Sequence, residues 1–479
     1  MADDHSTLAR LDSFLYRHRL AQVMSSPVLT AAVDATVATA CKIMSAHQAG
    51  SLVVIDDGGW AVGLVTERHI LAALADTGAD ALSCRVARIM TPVIPQAGGD
   101  AFLYVAVARM ARHGLKHLLV VDADGRPAGI VSARDLMKGR AAAALSIGDD
   151  VAMAATSQDL GAARALLPGL ATSLLADGVP ARDCAGVISS VLRDLSRRSG
   201  ELARDTMAAD GWGPPPAPFS LLILGSAGRG ESLLAFDQDN AIVHAGGLRE
   251  DVWFEEFARR VNQTLDEAGV PFCEGDVMAR NRSWRRSLDD WKLEIRRWVF
   301  EPKMQSVLNV DIFFDFQPVF GDAALAEDLK SYALDIASSS AFFVQFLAIT
   351  VAQMEVPLGL FGEFITTHGR LNAKKYGLLP IVAAARARAV KAGIRDTGTG
   401  ERFDALARAG LLHRDDAASL KESHEIILGV MLSQQLADIA QGSPPSARID
   451  PRALPRMRQR GLKAAFKRIR TLKTLMGNL

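Results

Sequence analysis

Two aspartates, Asp237 and Asp239, stand two positions apart in the run Phe236-Asp237-Gln238-Asp239-Asn240-Ala241-Ile242-Val243. In an extended chain successive side chains alternate faces, so both carboxylates point one way and Gln238 and Asn240 the other. Carboxylates a few ångströms apart repel each other, and a divalent cation relieves that repulsion. Upstream lies Gly225-Ser226-Ala227-Gly228-Arg229-Gly230-Glu231. A small-residue turn opening a helix offers free backbone N–H groups, which suit a phosphate. Metal beside phosphate is the equipment of phosphoryl or nucleotidyl transfer. Arg229 has two roles open to it, neutralising phosphate or pairing with Glu231, and the pair is the favoured one. Cys273 has no histidine or cation placed by sequence to activate it, so it is not read as a nucleophile.

The elements around these residues follow from local pattern. Ser220-Leu221-Leu222-Ile223-Leu224 reads as a short buried strand, and Ala241-Ile242-Val243 continues the strand that carries the aspartates. Gly211-Trp212-Gly213-Pro214-Pro215-Pro216-Ala217-Pro218 stops any helix and forms a rigid lead-in. Ahead of it, residues 141–210 read as helices with apolar stripes at Leu160, Ala163, Leu166, Leu167 and Leu170, and at Val187, Ile188, Val191, Leu192 and Leu195. Trp284, Trp291 and Trp298 repeat every seven residues, which predicts one buried stripe along a helix. From about Ser338 the chain reads as helical to its end. Its last helix, Leu454 to Leu475, sets a basic face against Leu462, Phe466, Ile469 and Leu472.

The first third contains an internal repeat. Met24 and Met90, Ser51 and His117, and Gly63 and Gly129 each stand 66 residues apart, and each opens a matching block. Two units of this size must bury their apolar faces on each other to be stable.

The repeat resembles a tandem pair of cystathionine-β-synthase (CBS) domains, a Bateman module, expected over residues 20–76 and 86–140. That resemblance implies an adenine-nucleotide ligand. Its Gly-hydrophobic-hydrophobic-Ser/Thr-x-x-Asp corner is complete in the second repeat, with Ser132 and Asp135. The first repeat has Thr66 but carries His69 where the Asp should be, so one competent ribose site and one altered site are expected. The Gly-Ser turn followed by Asp-x-Asp resembles the nucleotidyltransferase superfamily that includes DNA polymerase β. More closely, Gly-Ser-x-Gly-Arg-x-Glu with Asp-Gln-Asp-Asn resembles the bacterial DUF294 nucleotidyltransferase family, related to the uridylyltransferase of the PII signalling protein. That resemblance implies a third carboxylate on a neighbouring strand. Val307 to Phe316 is the candidate strand; Asp311 and Asp315 share one face of it, and the family pattern Phe-Phe-Asp-Phe selects Asp315. Gln317 stands where the family has Arg.

The resemblance also implies that Asp237, Asp239 and Asp315 hold Mg²⁺ or Mn²⁺, while Gly225, Ser226, Arg229 and Glu231 form the phosphate-binding turn. Phe272 to Asn281 matches a family signature, which makes Arg280 and Asn281 candidates for nucleotide contact. Lys374-Lys375-Tyr376-Gly377, Thr399-Gly400-Glu401-Arg402-Phe403 and Gln434-Gln435-Leu436 match the family's carboxy-terminal substrate-binding domain.

The expected whole is an α/β multidomain protein. It has a leader over 1–19, the CBS pair over 20–140, a polymerase-β-like nucleotidyltransferase domain with N-terminal helices over 141–325, and an all-α C-terminal domain over 338–479. Its 479 residues call for several cores. With 54 basic and 54 acidic residues, global charge gives no reason to expect a nucleic-acid partner. Four scattered cysteines and an acidic, non-apolar start fit a cytoplasmic protein without a membrane segment. The expected partners are a nucleoside triphosphate, a protein acceptor and a second copy joined through the CBS domains. A catalytically silent adenylate sensor and a small-molecule transferase of the antibiotic-modifying kind are the competing readings.

Overall fold

The computed structural model describes residues 19–47, 49–92, 95–103, 105–106, 109–110, 116–132, 147–303, 307–359 and 362–476. Asp135, the leader up to residue 18 and residues 141–146 lie outside them. The chain divides into two compact units, Met1–Ala143 and Ala144–Leu479.

The first unit carries the repeat as two copies of one small sheet. β1 (Thr30–Ala32) runs parallel to β2 (Ser51–Ile55), α1 (Val37–Ala46) connects them, and β3 (Ala61–Thr66) returns antiparallel before α2 (Glu67–Thr77). β4 (Gln96–Gly98), β5 (His117–Val121) and β6 (Pro127–Ser132) repeat the pattern. Thr30 faces Val53 and Gln96 faces Leu119, so the 66-residue offset holds down to register. The copies exchange their entry segments. Ser25 N–H donates to the Ile130 carbonyl at 2.9 Å, and Thr91 N–H donates to the Leu64 carbonyl at 2.9 Å. Met24 packs on Gly129 and Met90 on Gly63, and at either glycine a Cβ would collide with the methionine sulfur.

The second unit centres on a four-stranded sheet ordered β10-β7-β8-β9. α3 (Ser157–Ala165), α4 (Leu167–Ala176) and the long α5 (Ala181–Ala209) come first. The single stripe expected over Leu160–Leu170 is broken by a helix boundary at Leu166, whose side chain is exposed. β7 (Phe219–Ile223) is buried along its whole length between β10 (Gln317–Gly321) and β8 (Asn240–His244), antiparallel to both. The five-residue α6 (Gly225–Arg229) lies between β7 and β8, and α7 (Asp251–Glu267) follows β8. Phe219 packs edge-on to Trp253 and Phe257 with ring centroids 5.7 and 5.0 Å away, which fixes α7 on the sheet.

β9 (Arg285–Ser287) runs parallel to β8 and leads into α8 (Leu288–Phe300). The three tryptophans therefore do not share one helix. Trp284 sits in a 3₁₀ turn before β9, while Trp291 and Trp298 lie on α8, and all three are buried. The expected strand over Val307–Phe316 is instead α9 (Val307–Phe313) followed by a turn. Its physical reason is tertiary. Phe313 is fully buried against Trp291 and Trp298 at 4.9 and 5.2 Å, and Asp311 and Asp315 face one arginine at the helical i, i+4 spacing.

The helical remainder comprises α10 (Ala323–Ser339), α11 (Ala341–Ala352), α12 (Leu379–Lys391), α13 (Thr399–Arg408), α14 (Arg414–Ala440) and α15 (Arg456–Met476). A two-residue ladder, β11 (Leu371–Asn372) with β12 (Arg448–Ile449), interrupts it, and a π-turn at Lys374–Leu378 precedes α12. Leu462, Phe466, Ile469 and Leu472 of α15 are buried as its stripe requires. Glu425 on α14 caps α5 by accepting from the Ala181 and Arg182 amides at 2.6 and 3.1 Å, which ties the helical remainder to the sheet. Among the described residues no single helix is long and apolar enough to cross a membrane.

Candidate active site

Asp237 and Asp239 lie in the extended segment just ahead of β8 rather than within it. The alternation expected of them holds. Gln238 and Asn240 turn inward, 2% and 4% exposed, and form an amide network with Asn262 of α7. Gln238 Nε2 donates to the Asn262 and Val270 carbonyls, while Asn240 Oδ1 accepts from Asn262 Nδ2 at 3.0 Å and Ala279 N–H at 2.8 Å. With both amides saturated on one side, the two carboxylates are presented on the other.

Asp237, Asp239 and Cys273 place ligand atoms within 4.8 Å of one another. Asp239 reaches over the turn after β7. Leu224 N–H donates to its carbonyl at 2.9 Å, and a Cβ built on Gly225 would stand 2.5 Å from its Oδ2. Gly225 also holds φ at +57°, so two independent reasons demand glycine there. Burial, then the like charge of Asp237, pushes the Asp239 carboxyl up to about 6, while Cys273, Lys374 and Arg229 pull it down. Burial, then Asp239, pushes the Cys273 thiol up to about 12. It stays protonated, which supports the reading that it is no nucleophile.

Asp315 does not join this group. Its carboxylate is fully buried and takes Arg229 Nη1 at 2.6 Å, Arg402 Nη1 at 2.8 Å and the guanidinium of Arg386. Arg386 also pairs with Asp311 at 2.7 Å. Burial by itself would raise the Asp315 carboxyl, but Arg386, Arg402 and Arg229 hold it well below the usual carboxylate range. Three guanidinium groups occupy its oxygens, so the expectation that it completes the metal ligands is not met. The backbone carbonyl of Asp315 presses on Gly228, where any Cβ would collide with it.

Arg229 pairs with Glu231 at 2.8 Å as well as with Asp315, which is the pairing favoured for it. Glu231 in turn accepts from the Thr399 amide of α13 at 2.7 Å. Ser226 Oγ lies 2.9 Å from Ser232 Oγ. Gln317 donates to Thr397 Oγ1 at 3.0 Å and supplies no charge. Arg280 stacks 4.1 Å over Phe272, and Asn281 Nδ2 donates to the Asp276 carbonyl, so both are engaged locally.

The turn, Asp239 and the helical remainder enclose a cavity of about 310 Å³. Gly225, Ser226 and Asp239 line one wall; Lys374, Lys375 and Arg386 come from the π-turn and α12. Gln435 of α14 accepts from the Leu234 and Ala235 amides at 2.8 and 3.4 Å, which anchors the loop leading to Asp237. The roles of Arg386, Arg402, Lys374 and Lys375 were missed in the sequence. Lys374, Lys375 and Arg402 lie in stretches that match the family pattern, but nothing local assigns any of the four to the turn.

In the first unit Thr66 ends β3 and caps α2, its Oγ1 accepting from His69 N–H at 3.4 Å. His69 Nε2 lies 3.3 Å from Thr91 Oγ1, so the residue in the place of the Asp is drawn toward the other repeat. Ser132 ends β6.

Comparison with known proteins matches three family models. The family described as "Putative nucleotidyltransferase DUF294" matches residues 165–305. The "Putative nucleotidyltransferase substrate binding domain" matches 341–478, and CBS domains match 20–76 and 86–142. An uncharacterised 17.7 kDa protein of Acidianus ambivalens is 33% identical over 120 residues, covering 25% of this chain and 71% of that protein. A conserved CBS domain protein of unknown function from Thermoplasma acidophilum, with a solved structure, is 32% identical over 25% of this chain and 68% of its own, with a TM-score of 0.24. A Pyrobaculum aerophilum CBS domain protein solved with AMP is 25% identical over 25% of this chain and 89% of its own, with a TM-score of 0.23.

Proposed function

On the footing that this chain belongs to the DUF294 nucleotidyltransferase family with a CBS pair ahead of it, we propose that it is a metal-dependent nucleotidyltransferase of the cytoplasm. In this reading it modifies a protein hydroxyl in signal transduction, and adenine-nucleotide binding to the CBS pair regulates it. The observation that carries the reading is the close pair Asp237 and Asp239, without an ion-pair partner among the described residues, set by the Gly225 turn beside a cavity that Asp239 lines.

The donor set fits a hard divalent cation. Among the described residues neither carboxylate has an ion-pair partner, and carboxylate oxygens suit Mg²⁺ or Mn²⁺. Asp237 and Asp239 would hold it, and when bound it would neutralise phosphate charge and favour attack at phosphorus. The chain's own part is positional. Gly225 and Ser226 bring backbone close to the phosphates, and Gln238 and Asn240 lock the carboxylates in aim. An acceptor hydroxyl then attacks the α-phosphorus of a nucleoside triphosphate, and the new P–O bond forms as the bond to pyrophosphate breaks.

One observation favours a second reading, the catalytically silent adenylate sensor: Asp315 is sequestered by arginines and Gln317 is neutral. Labelled nucleoside triphosphates, Mg²⁺ and host lysate separate the readings. A labelled protein band dependent on Asp237 supports transfer to protein, and a labelled small molecule supports the antibiotic-type activity. Absence of label with all four nucleotides supports the sensor.

A further inference from the structure

The cavity beside Asp239 needs cations if it is to hold a triphosphate, and two of the four cationic side chains that line it are already committed. Among the described residues lining it, Arg229 is taken by Glu231 and Asp315, and Arg386 by Asp311 and Asp315. Gln317, where the family carries Arg, is uncharged and bonded to Thr397. Lys374 and Lys375 line the same cavity, their side chains are exposed to it, and neither has an ion-pair partner among the described residues. Lys375 is held at its backbone by Asn372 Oδ1, which accepts its N–H at 2.8 Å, and its ammonium lies 5.3 Å from the Tyr376 ring centroid.

From this we infer that Lys374 and Lys375 are the triphosphate-binding cations of the site, supplied by the helical remainder to the cavity that the Gly225–Ser226 turn also lines. The inference rests on the proposed nucleotidyltransferase reading and names how its substrate is held. A polyanion placed between the turn and the two lysines would be clamped by both walls. Lysine suits this work: its ammonium is a compact point charge on a flexible stem that follows a phosphate chain without a fixed fork geometry. The π-turn gives the stems a firm base. Gly377 packs against Ile427 of α14 and Phe466 of α15, where an added Cβ would stand 3.0 Å from Ile427 and 3.3 Å from Phe466. The lysines thus sit at the end of a braced segment rather than on a free loop.

The test measures two ligands separately on the full chain and its Lys374→Ala, Lys375→Ala and double variants. Mn²⁺ alone is followed by thermal stabilisation, and non-hydrolysable triphosphates of all four bases by calorimetry with Mn²⁺ present. Loss of a charge-assisted contact predicts roughly 10-fold weaker triphosphate binding for each single variant and about 100-fold for the double. Mn²⁺ response should be unchanged, and binding of the matching nucleoside monophosphate should weaken less than that of the triphosphate. Lys374→Arg should restore most of the affinity. Wild-type triphosphate affinity in the double variant would overturn the assignment while leaving the nucleotidyltransferase reading in place. A wild-type chain that binds Mn²⁺ but no triphosphate of any base would overturn both.

Discussion

Replacing Asp239 by Asn is expected to make the metal-free protein more stable while abolishing its response to metal. The Asp239 carboxyl is pushed up to about 6, against 3.8 for an unhindered aspartate. Between those values the folded protein binds more protons than the unfolded chain, so stability falls as pH rises through the window. Above pH ~7 the full penalty is present, about 3 kcal/mol at 1.36 kcal/mol per pH unit. Water reaches this partly exposed pair and screens it, so ~1–2 kcal/mol is the expected gain. For a unit of this size that is roughly 1–3 °C in Tm. The assay is thermal unfolding of the full chain and of Asp239→Asn at pH near 5 and near 8, with and without Mn²⁺. Near pH 5, inside that window, the folded carboxyl is largely protonated but the unfolded one is ionised, so roughly half of the variant's advantage should remain, and it should vanish only below pH ~3.8. Near pH 8 the variant should melt higher without metal. Saturating Mn²⁺ should stabilise the wild type by about 3 kcal/mol at 100 times Kd and the variant hardly at all. A variant less stable than wild type without metal near pH 8, or one with an equal Mn²⁺ response, would refute the reasoning.

Other substitutions separate the carboxylates by role. Asp315→Asn leaves buried Arg386 and Arg402 and partly buried Arg229 short of a counter-charge and should cost about 3–5 kcal/mol, with or without Mn²⁺; a stable variant that merely loses its metal response would return Asp315 to the metal site. Gly225→Ala meets both a positive φ and the Asp239 carboxylate, so a loss of roughly 1–3 kcal/mol together with a weakened Mn²⁺ response is expected in denaturant titrations. Adenine-nucleotide binding to the full chain, read by calorimetry, should weaken by about 1–3 kcal/mol in Asp135→Ala. If the CBS pair regulates the catalytic unit, a saturating triphosphate with Mg²⁺ should shift that adenylate affinity roughly 5- to 150-fold, and identical titrations would make the pair a tether.

What could be read from the sequence was local or periodic. The aim of Asp237 and Asp239 follows from a period of two, and Gln238 and Asn240 satisfy it by sinking into one amide network. The repeat was legible because every block keeps a single offset. The misread segment, Val307 to Phe316, shows why the rest was hidden. Its β-branched and aromatic residues look like a strand, but core surrounds it on several sides, so burial carries no period. Helix is instead consistent with partners far along the chain: Trp291 and Trp298 on one side, Arg386 on the other. The tryptophan repeat failed as a helix for a related reason. Arg285–Ser287 between the first two pairs with β8, and that edge strand breaks the helix the spacing had suggested. Lys374 and Lys375 lie in a stretch that matches the family pattern but carry no periodicity that assigns them to the site, and only the fold brings them to the cavity that Asp239 lines.

The two sets of acids around the catalytic turn are treated in opposite ways. Behind the turn Asp311, Asp315 and Glu231 meet Arg229, Arg386 and Arg402, three charges against three, all buried but the partly buried Arg229. Burial of so many charges is tolerable only when each is matched, and the match holds α6, α9, α12 and α13 in one arrangement. In front of the turn Asp237 and Asp239 are left close together with no cation in ion-pair contact among the described residues, although four arginines and lysines line the cavity beside Asp239. A fold selected for stability alone would have turned one of those cations onto the pair. The cations next to the turn are instead spent behind it, where they fix Gly225 and Gly228 against Asp239 and the Asp315 carbonyl. The uncompensated charge is thus confined to the one place where an incoming ion can cancel it.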